Sequence, residues 1–263
     1  MKFMKKKTKK AETASPMNPV NQKTLHMNLD FTATEQYKLL RANLQFTLPE
    51  DVKCPIIGVT SAMRGEGKST TAINLSYVLA EKGSRVLLID GDLRIPSIAK
   101  KMKLPNSPGL TDLLIGNGAK LAEFQSALQP NWYILPAGDI PPNPSELIGS
   151  HRMESVLCAL RDNFDYIIID LPPVNIVSDA LSISRLLTGM IVVVREGYTE
   201  KKELEQCMRQ LKLASTKVLG FVMNETGAYG RYGRYKYGAK YGKYKKYYKS
   251  YYKRDGASEE TEA

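Results

Sequence analysis

The stretch Ile56-Ile57-Gly58-Val59-Thr60-Ser61-Ala62-Met63-Arg64-Gly65-Glu66-Gly67-Lys68-Ser69-Thr70 decides how the rest of the chain reads. A short apolar run leads into a glycine-rich turn, and a helix is expected from Lys68 to about Glu81, where Gly83 stops it. A loop that cradles phosphate needs inward-pointing backbone N–H groups, which glycines permit. It also needs a lysine for the β- and γ-phosphates, a hydroxyl for Mg²⁺ and a helix N-terminus beneath. Gly65, Gly67, Lys68 and Ser69 supply these parts, and Glu66 and Thr70 complete the candidate nucleotide-binding segment. Ala62 stands where the first glycine of G-x-x-x-x-G-K-[ST] is usual.

Two acidic strand ends support the same site. Leu87-Leu88-Ile89-Asp90-Gly91-Asp92-Leu93-Arg94 places two carboxylates just past an apolar run, and Ile167-Ile168-Ile169-Asp170-Leu171-Pro172-Pro173 places a third. In a parallel sheet the C-terminal strand ends form one edge, where ligands bind. Asp90, Asp92 and Asp170 should therefore face the same nucleotide as Lys68. Carboxylate oxygens suit Mg²⁺, which binds through one or two carboxylates, phosphates and retained waters. Ser69, Asp92 and Asp170 are the expected metal ligands.

Working outward, strand and helix patterns alternate. A helix is expected from a capping box at Thr32-Ala33-Thr34-Glu35 to about Phe46, ended by Pro49. Further strands are expected at 85–90, 133–135, 166–170, 190–194 and 217–224. Helices are expected near 110–115, 121–128, 151–162, 178–187 and 199–213. Continuous Val/Ile/Leu runs indicate strands covered on both faces, so the fold class is α/β with a doubly wound, mainly parallel sheet. No segment approaches the ~20 apolar residues of a membrane-spanning helix. The start, MKFMKKKTKK, lacks the apolar segment of a signal peptide, which argues against secretion. Cys54, Cys158 and Cys207 read as free thiols, and His26 and His151 as surface residues.

The net charge of +11 is unevenly spread. Residues 1–10 hold six lysines and no acid, and residues 229–254 hold ten Lys/Arg and no acid, leaving a near-neutral middle. The expected organisation is a flexible segment at 1–31, a nucleotide-binding domain at 32–228, a Tyr/Lys-rich tail at 229–254 and an acidic end at 255–263. The tail carries ten of the chain's fifteen tyrosines: Tyr229, Tyr232, Tyr235, Tyr237, Tyr241, Tyr244, Tyr247, Tyr248, Tyr251 and Tyr252. Without aliphatic residues it cannot build a core, and disorder is expected. It leaves the last expected strand at Asn224 with an extended reach of roughly 90 Å.

These features resemble the bacterial tyrosine kinases of capsule and exopolysaccharide clusters. The resemblance covers about residues 32–254 and rests on the phosphate loop, the Asp-x-Asp-x-Arg segment at 90–94, Asp170-Leu171-Pro172-Pro173, Pro141-Pro142-Asn143-Pro144-Ser145-Glu146-Leu147 and the tyrosine cluster. It implies ATP and Mg²⁺ as cofactors and autophosphorylation of the tail, in trans within a ring-shaped homo-oligomer. The ten tail tyrosines would be the acceptors, and regulation of polysaccharide polymerisation or export the output. Lys68, Asp90 and Asp92 would be catalytic, with Asp90 activating the tyrosine hydroxyl and Arg94 pairing with a nearby carboxylate. The family's E-x-x-R-x-x-R helix motif, implied in ring assembly, reads Glu35-x-x-Lys38-x-x-Arg41 here. The two-polypeptide arrangement is implied, with a membrane-anchored activator recruiting a cytoplasmic kinase to the inner membrane face, and a cognate tyrosine phosphatase.

Two other readings compete. A partitioning or positioning ATPase shares the loop, but Met63 occupies the place of that branch's signature lysine. Interleaved aromatic and basic residues can also bind nucleic acid. Nucleic acid is not the expected partner, because that reading leaves so many tyrosines beside a nucleotide site unexplained.

Overall fold

The computed structural model describes residue 29 and residues 31–116, 124, 126 and 128–224. Residues 1–28 and 30 of the expected N-terminal segment 1–31, most of the helix expected at 121–128, the tyrosine tail at 229–254 and the acidic end at 255–263 lie outside the described residues, His26 among them.

The order of elements is α1 (Phe31–Thr47), β1 (Ile56–Ser61), α2 (Lys68–Glu81), β2 (Val86–Asp90), α3 (Ile98–Met102), α4 (Leu110–Ile115), β3 (Trp132–Leu135), α5 (Pro144–Ile148), α6 (His151–Arg161), β4 (Tyr166–Asp170), α7 (Asp179–Ser182), a 3₁₀ turn (Ser184–Leu186), β5 (Gly189–Arg195), α8 (Lys201–Leu213) and β6 (Val218–Asn224). The six strands form one sheet in the order β3-β2-β4-β1-β5-β6. Every pairing is parallel. All C-terminal strand ends therefore share one edge, as a doubly wound fold requires.

Successive side chains of a strand point to opposite faces, and both faces here are covered by helices. Ile57, Val59, Leu88 and Ile168 pack with α1 and α2 on one face. Ile56, Leu87, Ile167 and Ile169 pack with α4, α6 and α8 on the other. This is why the strands read as unbroken apolar runs. Helix α2 is buried almost all round because α1 lies over it, and Arg41 of α1 donates to the Val78 carbonyl of α2. At the far side, Trp132 meets Tyr77 edge-on at 5.3 Å and donates its indole N–H to Ser76 Oγ.

Several local expectations are corrected. α1 begins at Phe31, one residue before the expected cap, and the Glu35 carboxylate is taken by Lys38 at 2.9 Å. The single helix expected at 178–187 is two short pieces, α7 and the 3₁₀ turn. Two helices not anticipated, α3 and α5, hold five residues each, too few to display a 3.6-residue period.

Candidate active site

The phosphate loop runs from the end of β1 to the start of α2, and its two glycines turn it through positive φ, +79° at Gly65 and +98° at Gly67. A Cβ on Gly67 would stand 2.0 Å from Asn224 Nδ2, so a larger residue would displace Asn224 as well as strain the left-handed backbone. Three consecutive carbonyls are held from outside. Tyr198 Oη donates to Arg64 O at 3.1 Å, Arg195 Nη1 to Gly65 O at 3.1 Å, and Asn224 Nδ2 to Glu66 O at 2.9 Å. In a planar trans peptide the following N–H points opposite to its carbonyl. These contacts therefore turn the amides of Gly65, Glu66 and Gly67 away from the clamp. The Glu66 side chain is fully buried, accepting the Met63 N–H at 2.8 Å and the Thr199 hydroxyl. It braces the loop, leaving its backbone amide as the group available to a phosphate.

Lys68, at the first position of α2, reaches across the sheet edge. Its Nζ lies 3.0 Å from Asp92 Oδ2 and 3.5 Å from Asp170 Oδ1. Burial works against its charge, but Asp170, Asp92 and Asp90 outweigh burial and hold the ammonium above its ordinary pKa. Asp90 and Asp170 stand directly opposite one another in the β2–β4 register. Both are fully buried, so burial pushes both carboxyls up. Repulsion from Asp170 adds to the effect at Asp90, which is pushed up to about 7.

The three carboxylates do different things. Asp90 Oδ2 accepts the N–H groups of Ser97 and Ile98, each at 2.9 Å, and so caps α3 from a distance. Asp92 links Lys68 to the following turn, where its Oδ1 accepts the Ile95 N–H at 3.1 Å. Neither Asp170 oxygen completes a hydrogen bond, although Lys68 and Ser69 beside it partly offset its burial. A buried carboxylate left incomplete next to a serine hydroxyl fits a hydrated Mg²⁺ ion that binds few protein ligands. Among the described residues no group of three or more His, Cys, Asp or Glu side chains could hold a metal alone. Phosphate oxygens and water would have to complete the shell.

A cavity of about 480 Å³ covers the loop, lined by Lys68, Ser69, Thr70 and Asp92 among others. Arg94 also reaches it but is engaged elsewhere. Its Nε and Nη2 grip Asp179 at 2.9 and 3.1 Å, and Nη2 also donates to Ser145 Oγ at 2.8 Å. This is the carboxylate pairing expected of Arg94, and it ties in the Pro141–Leu147 motif. Of the residues expected to serve oligomerisation, Glu35 and Lys38 pair with each other and Arg41 donates to α2. Cys54 and Cys207 are buried free thiols, whereas Cys158 and His151 are exposed.

Sequence reasoning missed Arg195, Tyr198, Thr199 and Asn224, which brace the loop, and Lys101, which lines the cavity and donates to Thr70 Oγ1 at 3.4 Å. The available signal was positional: all four bracing residues follow or end strands at the ligand-bearing edge.

Residues 54–219 match the AAA domain family model. Tyrosine-protein kinase YwqD from Bacillus subtilis (strain 168) is 36% identical over 205 residues, which is 75% of this chain and 86% of that protein. The kinase domain of Escherichia coli tyrosine kinase ETK is 30% identical with a TM-score of 0.70, covering 76% of this chain and 79% of that one. The septum site-determining protein MinD complexed with Mg-ADP from Pyrococcus horikoshii OT3 is 29% identical with a TM-score of 0.56, covering 68% and 73%.

Proposed function

This chain belongs to the bacterial tyrosine-protein kinases, and on that premise we propose that it transfers the γ-phosphoryl group of ATP to tyrosines 229–252 of a neighbouring copy. The observation that carries this reading is the position of Lys68. It is held between Asp92 and Asp170 at the sheet edge where β6 ends. Asn224, the last residue of β6, touches the phosphate loop itself, and in the sequence Tyr229 follows it by only five positions.

The loop amides and Lys68 bind the phosphates, and α2 directs its N-terminal end at them. Ser69, Asp92 and Asp170 would hold Mg²⁺, which when bound neutralises charge on the phosphates. The tyrosine oxygen forms a bond to the γ-phosphorus, the bond from that phosphorus to the β,γ-bridging oxygen breaks, and ADP leaves with the electron pair. The phenolic proton passes to Asp90, whose raised pKa suits a base near neutrality. Positioning and charge stabilisation then suffice without histidine or cysteine.

The wider role follows the family: regulation of capsular or exopolysaccharide synthesis and export. Among the described residues no helix is long and apolar enough to cross a membrane. Recruitment to the inner membrane face by a membrane-anchored activator is part of the same proposal. Assembly would use Glu35, Lys38 and Arg41 of α1, and a cognate phosphatase would reverse the modification.

Mixing tests transfer between copies. A full-length Lys68→Met chain is incubated with wild-type chain, ATP, Mg²⁺ and the activator's cytoplasmic segment. Phosphotyrosine on the Lys68→Met chain is expected. Phosphotyrosine confined to the wild-type chain would limit transfer to a single copy.

A further inference from the structure

The lining of the cavity is chemically mixed. Alongside Lys68, Ser69 and Asp92 it presents Ile95 and Ile176, whose residues are 53% and 40% exposed. Neither sits on a slack loop. The Ile95 N–H donates to Asp92 Oδ1, and the preceding Arg94 is locked onto Asp179. The Ile176 N–H donates to Pro173 O at 3.2 Å, and Nδ2 of the adjoining Asn175 donates to both the backbone carbonyl and the carboxylate of Glu203. Two branched apolar side chains are thus held at a site whose other chemistry is ionic.

Phosphate groups and a hydrated cation gain nothing from isoleucine, but an aromatic ring does. The location narrows the choice of ring. Asp92 touches Lys68 with one oxygen and the Ile95 N–H with the other, at 3.0 and 3.1 Å. Ile95 is therefore a single carboxylate away from the lysine that addresses the β- and γ-phosphates, the end of ATP remote from its base. Ten tyrosines lie in residues 229–254, which follow closely on Asn224, and Asn224 lines this same cavity.

Resting on the kinase reading, we propose that Ile95 and Ile176, with Pro172 and Pro173, form the slot that receives the phenol ring of the acceptor tyrosine from a second copy. The slot sets which acceptor reaches the phosphoryl group: a seated phenol, or water when no ring is held.

The test compares full-length wild-type chain with the Ile95→Ala/Ile176→Ala double variant, in ATP, Mg²⁺ and the activator segment. It measures phosphotyrosine formed per ATP consumed, affinity for a fluorescent ADP analogue, and thermal midpoint. The expected result is an about tenfold fall in phosphotyrosine per ATP, the scale of losing apolar contact from two side chains. ADP affinity and thermal midpoint stay unchanged, and Ile95→Leu/Ile176→Leu restores the ratio. An unchanged ratio overturns the slot. A fall matched by an equal loss of ADP affinity also overturns it, assigning the isoleucines to the nucleotide base. Wild-type chain that consumes ATP without forming phosphotyrosine instead removes the kinase reading, and the slot with it.

Discussion

The Lys68 ammonium lies 3.0 Å from Asp92 Oδ2, and this pair joins the first turn of α2 to the segment following β2. It places one cation among carboxylates that burial would otherwise drive toward protonation.

Removing that cation has a pH-dependent cost. Asp90 and Asp170 already have folded-state pKa values above their ordinary ones, so the folded chain binds extra protons and its stability falls as pH rises toward about 7. Without Lys68 the shifts grow. Lys68→Met should lower the stability of the nucleotide-free protein by about 3 kcal/mol at pH 8 and by clearly less at pH 6. Thermal melting at both values checks this; equal losses would mean that Lys68 does not neutralise the carboxylates.

Asp90 gives the reaction its own pH signature. It must be ionised to take the phenolic proton, and its pKa is pushed up to about 7 by burial and by Asp170. Initial rates of phosphotyrosine formation should rise about tenfold per pH unit below that value and level off above it. A rate independent of pH through this range would reject Asp90 as the base.

The loop clamp predicts nucleotide affinity. Tyr198→Phe removes the 3.1 Å bond to the Arg64 carbonyl and should weaken ATP binding about fivefold, the worth of one hydrogen bond. Thr199→Val should cost more, because it strips a donor from the buried Glu66 carboxylate, while Thr199→Ser should retain affinity. Nucleotide titration of the three variants distinguishes a clamp from incidental packing, which would leave all three unaltered.

Arg94 is a structural tie between the segment after β2, α5 and α7. Arg94→Lys loses the two-pronged grip on buried Asp179, and with the arginine side chain 38% exposed the expected loss of stability is about 1 kcal/mol. ATP affinity should hold. A large loss of affinity with unchanged melting would make Arg94 a phosphate ligand instead.

Much of this was legible in the sequence, for identifiable reasons. The strands carry unbroken apolar runs because helices cover both faces, and α2 opens where Gly67 takes the left-handed turn. Lys68, Asp92 and Asp170 could be grouped because parallel strands bring their C-terminal ends to one edge. Helix α3 was hidden because its N-terminal amides are satisfied by Asp90, from β2, rather than by a neighbouring cap. The clamp was hidden because each side chain bonds a loop group 130 to 158 positions away, leaving no local spacing to read.

The central claim is tested most directly by mapping phosphate on the full-length chain by mass spectrometry after incubation with ATP, Mg²⁺ and the activator segment. The account predicts modification within Tyr229–Tyr252 that is absent when Lys68→Met chain is incubated alone. ATP turnover with every one of those tyrosines unmodified would contradict it.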